Sequence, residues 1–331
     1  MDSFPIALIA VMVLAVAFDF SNGLNDAANA IATVVGTRVL SPTKAIIMSA
    51  CLNVVGAFVG TAVAKTVGAG IIKPEAFTDL YVLIAALAAA TIWTLVTTRY
   101  GLPISASHAL ISSIVGAGIA TAGTDALISS GLIKVLIALL VAPIAGYAIG
   151  FLVMVVILWL FRSSTPEKVH NIFGRLQILS AAFMAFSHGN NDAQKTMGIM
   201  TMALLITQRI QVFAVPWWVV LLAALAMGTG TAVGGWRVMK TLGMKIAKLR
   251  PVDGFAAESS AAMVITVASR FGLPLSTTHV ISASITGVGS TKRLSAVRWG
   301  MARSILLAWV LTFPACGIAA WGFAQVIKLF T

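Results

Sequence analysis

An Asn-Asp pair set inside a long apolar run, and then met a second time, is the feature of this chain with the most chemistry in it. The stretch FSNGLNDA begins at Phe20 and returns as FSHGNNDA at Phe186, with six of eight positions identical. A carboxylate in hydrocarbon costs about 2.5–3.5 kcal/mol on even the mildest scale, so a recurring one marks an ion or substrate site. Asp26 and Asp192 offer hard anionic oxygens, and Asn25 and Asn191 neutral amide oxygens. That set suits sodium, or a proton on the carboxylate, and Gln194 extends it in the second copy. The bland alternative, two aspartates that each cap a half-helix or bind a neighbour, needs the same accident twice. Gly23 and Gly189 precede the aspartates, which predicts that the helix unwinds there and opens backbone groups to a cavity. Lys195, one turn past Asp192, stands where the first copy has Asn29. It either neutralises that aspartate or meets an anionic substrate.

A second duplicated pattern is RYGLPISASH from Arg99, which returns as RFGLPLSTTH from Arg270. Pro103 and Pro274 cannot continue a helix and restrict the residue before them, so a new helix is expected to start just after each. Those starts carry Ser105, Ala106, Ser107 and His108 in one copy, and Ser276, Thr277, Thr278 and His279 in the other. Hydroxyls and unpaired N–H groups at the positive end of a helix form an anion site, and two such starts would surround a tetrahedral oxyanion with neutral donors. Singly, such hydroxyls are ordinary packing groups between membrane helices. Two matched clusters after two matched breaks favour the anion. His108 and His279 are either core residues bonded to carbonyls or groups that couple a proton or orient a substrate. Arg99 and Arg270 sit at segment ends and read as snorkelling anchors or partners of hairpin carbonyls, not substrate ligands. Glu258 reads as a helix cap, with a proton role left open.

The elements that must carry these groups are membrane helices. The chain has 331 residues, 59% of them apolar and only 10% charged, with a mean hydropathy of +1.00. Soluble domains carry about a quarter charged residues. The expectation is an all-α polytopic membrane protein whose N-terminal run is its first spanning helix, not a cleaved signal peptide. A net charge of +12 raises nucleic acid as a partner, but the basic residues fall between apolar runs. Arg162, Lys168 and Arg175, and then Arg237, Lys240, Lys245, Lys248 and Arg250, mark cytoplasmic loops rather than a polyanion-binding face. Cys51 and Cys316 read as small core residues with no disulfide and no metal.

Runs at 5–37, 44–65, 80–99, 101–120 and 131–161 make up a first half, 1–161. A short cytoplasmic loop at 162–175 and a second half, 176–331, follow, and the first half also holds a polar loop with Lys73, Pro74, Glu75 and Asp79. The second half repeats the order, with a strongly basic loop at 237–253, and GTAV at Gly60 echoes GTAV at Gly230. Five crossings per half, counting the GLP segments, place both termini outside and turn the halves over relative to one another. Inverted repeats with broken helices and GLP hairpins near the midplane are the architecture of secondary transporters. An intramembrane hydrolase is disfavoured, because catalysis needs one nucleophile and here Ser105 and His108 are duplicated with everything else.

At FSHGNNDAQKTMG and GLPLSTTH the chain resembles the inorganic phosphate transporter family, bacterial branch. Gly23, Asn25, Asp26 and Ala30 match its first signature, and Ser187, His188, Gly189, Asn191, Asp192, Ala193, Gln194, Lys195 and Thr196 its second. Leu24 and Asn190 depart from the usual alanine. The resemblance covers essentially the whole chain. It implies symport of inorganic phosphate with sodium or protons across the cytoplasmic membrane, with no other cofactor. It also implies a homodimer and, in some bacterial members, phosphate carried as a metal complex. Ser105, Ala106, Ser107, Ser276, Thr277, Thr278 and Lys195 are the expected phosphate ligands. Asn25, Asp26, Asn191, Asp192 and Gln194 are the expected cation ligands. A sulfate symporter of the same family and an ion channel are the competing readings.

Overall fold

The computed structural model describes residues 3–73 and 80–330, and the regular elements there are helices. In chain order they are α1 (Ser3–Gly36), α2 (Pro42–Ala57), α3 (Ala62–Ala69), α4 (Tyr81–Tyr100), α5 (Ala106–Ala122), α6 (Ser129–Leu160), α7 (Pro166–Ile206), α8 (Trp217–Val233), α9 (Trp236–Lys245), α10 (Pro251–Arg270), α11 (Thr277–Ser290) and α12 (Trp299–Lys328). The expected polar loop at 74–79 lies outside the described residues. From α7 onward the order of the first six helices recurs: a long helix, a sharply bent pair, two helices joined by a GLP turn, and a long helix with an internal proline. In space the halves interlock, for α1 packs on α8 and α9 while α7 packs on α2 and α3.

The breaks are not where the glycines suggested. Helix α1 runs unbroken through Asn22-Gly23 and α7 through Gly189, and the chain bends instead between α2 and α3, by 73°, and between α8 and α9, by 75°. Gly23 and Gly189 serve close approach. A Cβ on Gly23 would stand 2.3 Å from the Met227 carbonyl oxygen, and one on Gly189 2.1 Å from that of Asn53. Bare backbone is what lets α1 lie against α8 and α7 against α2, as small residues do in membrane helix pairs. The GTAV echo is likewise not structural. Gly60 sits in the α2–α3 bend, while Gly230 lies inside α8 against the Phe20 carbonyl. Its counterpart is Gly56, packed the same way on Phe186.

Charge-rich sequence also hid helix. Most of the expected 162–175 loop is the start of α7, which opens with Pro166 in its first turn and Thr165 as N-cap, its hydroxyl accepting from the Lys168 amide at 3.4 Å. The expected basic loop at 237–253 contains most of α9 and the first turn of α10. Among the described residues, four helices are long and apolar enough to cross a membrane, and each bent pair adds at most one more. The GLP arms α5 and α11, with 17 and 14 residues, extend only about 25 and 21 Å, short of a hydrocarbon core of about 30 Å. Each follows a GLP turn from the helix before it, and the expected five crossings per half had counted these short arms as spans. Helices α6 and α12 turn Leu140, Ile144, Ile318 and Trp321 outward, an apolar surface suited to lipid. Cys316 is buried in α12, whereas Cys51 is exposed on α2 instead of lying in the core.

Candidate functional site

Both GLP turns are built by the same bonds. Helix α4 ends with Gly101 at φ +71°, its amide donating to the Thr98 carbonyl and that of Leu102 to Thr97. Gly272, at φ +65°, ends α10 with bonds to Ser269 and Ala268. This left-handed Schellman ending favours glycine, and the proline that follows prevents helix from resuming at once. The N-caps of α5 and α11 are Ser105 and Ser276, whose hydroxyls accept from the His108 amide at 3.1 Å and the His279 amide at 3.3 Å. These two serines are thus occupied as caps. Ala106 and Ser107, like Thr277 and Thr278, fall in the first helical turn, where backbone N–H groups have no partner within the helix. The Ser107 hydroxyl donates to the Leu275 carbonyl at 2.6 Å and so ties one hairpin tip to the other.

The aspartates meet at these tips. The Thr277 hydroxyl stands 3.3 Å from a carboxylate oxygen of both Asp26 and Asp192, and the Thr278 hydroxyl donates to Asp26 at 3.1 Å. Lys195 Nζ lies 2.7 Å from Asp192 Oδ1 and 2.5 Å from Ser107 Oγ. Its counterpart Asn29 donates to Thr277 and Thr278 at 3.3 and 3.0 Å, so a cation and an amide hold matched posts. Asp26, Asp192, Lys195, Ser107, Thr277 and Thr278 are all at most 1% exposed, which leaves them no contact with bulk water.

His188 completes the cluster, and sequence reasoning gave it no role. Its Nδ1 lies 3.0 Å from Asn53 Oδ1, and Asn53 in turn donates through Nδ2 to Thr231 at 2.9 Å. Asn53 Oδ1 is therefore the acceptor and Nδ1 the donor, which leaves Nε2 as the ring nitrogen facing the carboxylates. Nε2 stands 3.6 Å from Asp26 Oδ2 and from Asp192 Oδ2, and the three ligand atoms lie within 4.8 Å of one another. Three converging lone pairs repel unless a cation or a proton lies among them. The traces of this in the sequence are that His188 stands where the first copy has Asn22 and that it falls within the second signature.

Other expected residues sit nearby in different roles. Asn25 donates to Thr98 Oγ1 at 2.7 Å and Leu102 O at 3.4 Å, and Asn191 to Ser269 Oγ at 2.8 Å and Leu273 O at 3.2 Å. Each fastens a GLP turn to its Asp helix, and each amide oxygen is buried with no hydrogen-bond partner among the described residues, free to serve as a ligand. Gln194 departs from expectation, for its oxygen is taken by the Val63 and Ala64 amides at the start of α3. His108 and His279 pack edge to face with ring centroids 4.6 Å apart, His279 stacked on Trp309. They form an aromatic layer behind the hairpin tips, and no carbonyl bonds either ring among the described residues. Arg99 and Arg270 are exposed at the ends of α4 and α10. Glu258 is no cap: it lies buried in mid-α10 and accepts from Thr33, Ser180 and Gln177. As a test of the fastening, Asn25→Leu is expected to lower stability by about 1–3 kcal/mol, since it leaves Thr98 and the turn carbonyl without their donor. Thermal unfolding in detergent reads this, and an unchanged melting temperature counts against it.

A model of the Phosphate transporter family matches residues 22–168 and 161–320, which together hold every group of the Asp26–Asp192 cluster. The chain belongs to this family. Its members are transporters and not enzymes, and the helical, lipid-facing architecture is that of an integral membrane protein. A relative from Bacillus subtilis described as a probable low-affinity inorganic phosphate transporter is 47% identical over 317 residues, 95% of each chain. A Rhizobium meliloti relative of the same description is 44% identical, over 96% of this chain and 95% of the other. The fold also matches a solved structure described as the sodium-dependent phosphate transporter, with a TM-score of 0.91 and 26% identity over 98% of this chain and 100% of that one.

Proposed function

We propose that this protein is a cation-coupled symporter of inorganic phosphate in the cytoplasmic membrane, driven by sodium or protons. In this reading, 1–161 and 176–331 are inverted repeats joined by a cytoplasmic connection around 162–175, both termini lie outside, and the protein works as a homodimer. The observation that carries it is the meeting of Asp26, Asp192 and His188 Nε2 with the hydroxyls of two helix starts. With the carboxylates bare, Thr277 and Thr278 donate to them, and the same negative charge repels an oxyanion. A cation drawn among the three lone pairs neutralises that charge and frees the hydroxyls. Phosphate then settles between the α5 and α11 starts on Ser107, Thr277, Thr278, the first-turn N–H groups and Lys195 Nζ. Coupling has an energetic motive as well, because moving a dianion into a negative-inside cell costs about 2.3 kcal/mol per charge per 100 mV.

The donor set supports a second mode. An imidazole nitrogen beside two carboxylates suits a divalent metal ion better than sodium. Phosphate carried as a neutral metal complex would deliver substrate and countercharge together. Proteoliposomes in which sodium, pH and divalent-metal gradients are imposed separately distinguish these drivers. Phosphate uptake that responds to none of them excludes symport. Sulfate in excess is expected to compete poorly, since it lacks the O–H that a site carboxylate accepts from phosphate. Equal competition by the two anions identifies a general oxyanion site instead.

A further inference from the structure

Polar side chains recur along α1 at alternating intervals of three and four residues, as Asp19, Asn22, Asp26, Asn29 and Thr33, and therefore share one face of the helix. All five are buried. The middle of this stripe belongs to the site described above, but its N-terminal end does not. Asp19 lies seven residues before Asp26, about 10 Å along the helix, and outside the span of the family match. One of its oxygens accepts from the Thr196 hydroxyl on α7. The other, Oδ2, has no hydrogen-bond partner among the described residues, and neither polar atom of Asn22 has one.

Two further observations point to a ligand there. The first is charge. Asp19, Asp26 and Asp192 are three buried carboxylates, and among the described residues Lys195 is the one lysine or arginine ion-paired within this cluster. A cation at Asp26 and Asp192 leaves Asp19 without a cation of its own, and a carboxylate at that depth carries charge only where something compensates it. The second is Asn22 itself. His188, its counterpart, has Asn53 to bond, but the residue of α8 that packs where Asn53 does is Met227. The fold thus sets a fully buried amide where no partner faces it. A bolt between α1 and α7 accounts for one oxygen of Asp19 and for nothing of Asn22.

We infer that Asp19 Oδ2 and Asn22 Oδ1 are ligands of a second monovalent-cation site, which loads a coupling ion on the N-terminal side of the transport site. This rests on the symport reading and deepens it. The polar stripe leads from Asp19 past Asn22 to Asp26, so an ion held there sits next in line to the carboxylates that admit phosphate.

The test is initial phosphate uptake into proteoliposomes, measured against sodium at fixed pH and against pH without sodium, for the wild type, Asp19→Asn, Asn22→Ala and Asp19→Glu. Asp19→Asn and Asn22→Ala are each expected to raise the half-saturating concentration of the driving cation about tenfold while the phosphate KM at saturating cation stays within about twofold. The Hill coefficient for the cation should fall as well, and Asp19→Glu should keep wild-type cation dependence. Asn22→Ala breaks no hydrogen bond, so a merely structural role predicts no change in it, and it decides the matter alone if Asp19→Asn fails to fold. Cation dependence unchanged in Asn22→Ala, or cation and phosphate constants moving together, overturns the second site. Absence of cation-driven uptake by the wild type removes the symport reading itself and this inference with it.

Discussion

Asp26→Asn and Asp192→Asn are each expected to lower phosphate uptake at least about 100-fold, because each removes a carboxylate engaged in several charge-assisted contacts worth about 1.5–3 kcal/mol apiece. Asp26 faces Thr277, Thr278 and His188, and Asp192 faces Lys195, Thr277 and His188. Amide substitution of Asp26 preserves size and most of the hydrogen bonding, so that variant should reach the membrane and melt near the wild type, whereas Asp192→Asn strands the buried Lys195 and should melt lower. Without the charge, neither can gather a cation against His188 Nε2. The hydroxyls then have no switch from carboxylate to phosphate. Labelled-phosphate uptake in vesicles reads the result, and normal uptake by either variant would refute the coupling role assigned to that residue.

Lys195→Met should do comparable damage for a different reason. Lys195 is fully buried, and among the described residues its ammonium is the one lysine or arginine nitrogen paired with Asp192. Removing one member of a buried pair strands the other, at a cost of about 3–5 kcal/mol. Low expression and a lower melting temperature are therefore expected along with lost uptake. The double variant Asp192→Asn with Lys195→Met separates the two effects. With no stranded charge it should regain stability, yet phosphate uptake should stay absent, since both the cation ligand and the cationic donor to phosphate are gone. A double variant that transports normally would reduce this pair to scaffolding.

The sequence by itself determined the class of the molecule and the list of its chemical groups. Apolar runs of spanning length demand helices in lipid, and duplicated Asp26/Asp192 and Ser107/Thr278 stand out because buried charge and clustered hydroxyls are costly there. The GLP turns were legible too, because proline and left-handed glycine act locally. What only the tertiary structure decided is which backbone and side-chain partners these groups meet. Gly23 and Gly189 read as helix breaks, yet each sits in continuous helix, where close packing on the carbonyls of Met227 and Asn53 outweighs their weak helix propensity. Asn25, Asn191 and Gln194 read as ligands alike, but partners on other segments made the amide nitrogens of the first two fasteners of the GLP turns, with their oxygens left free, and the oxygen of the third a cap for α3. His188 gains its place between Asp26 and Asp192 from Asn53, 135 residues away, which sets which ring nitrogen faces them. Local chain chemistry is written in neighbouring residues, whereas the direction of a lone pair is set by whatever the fold brings alongside.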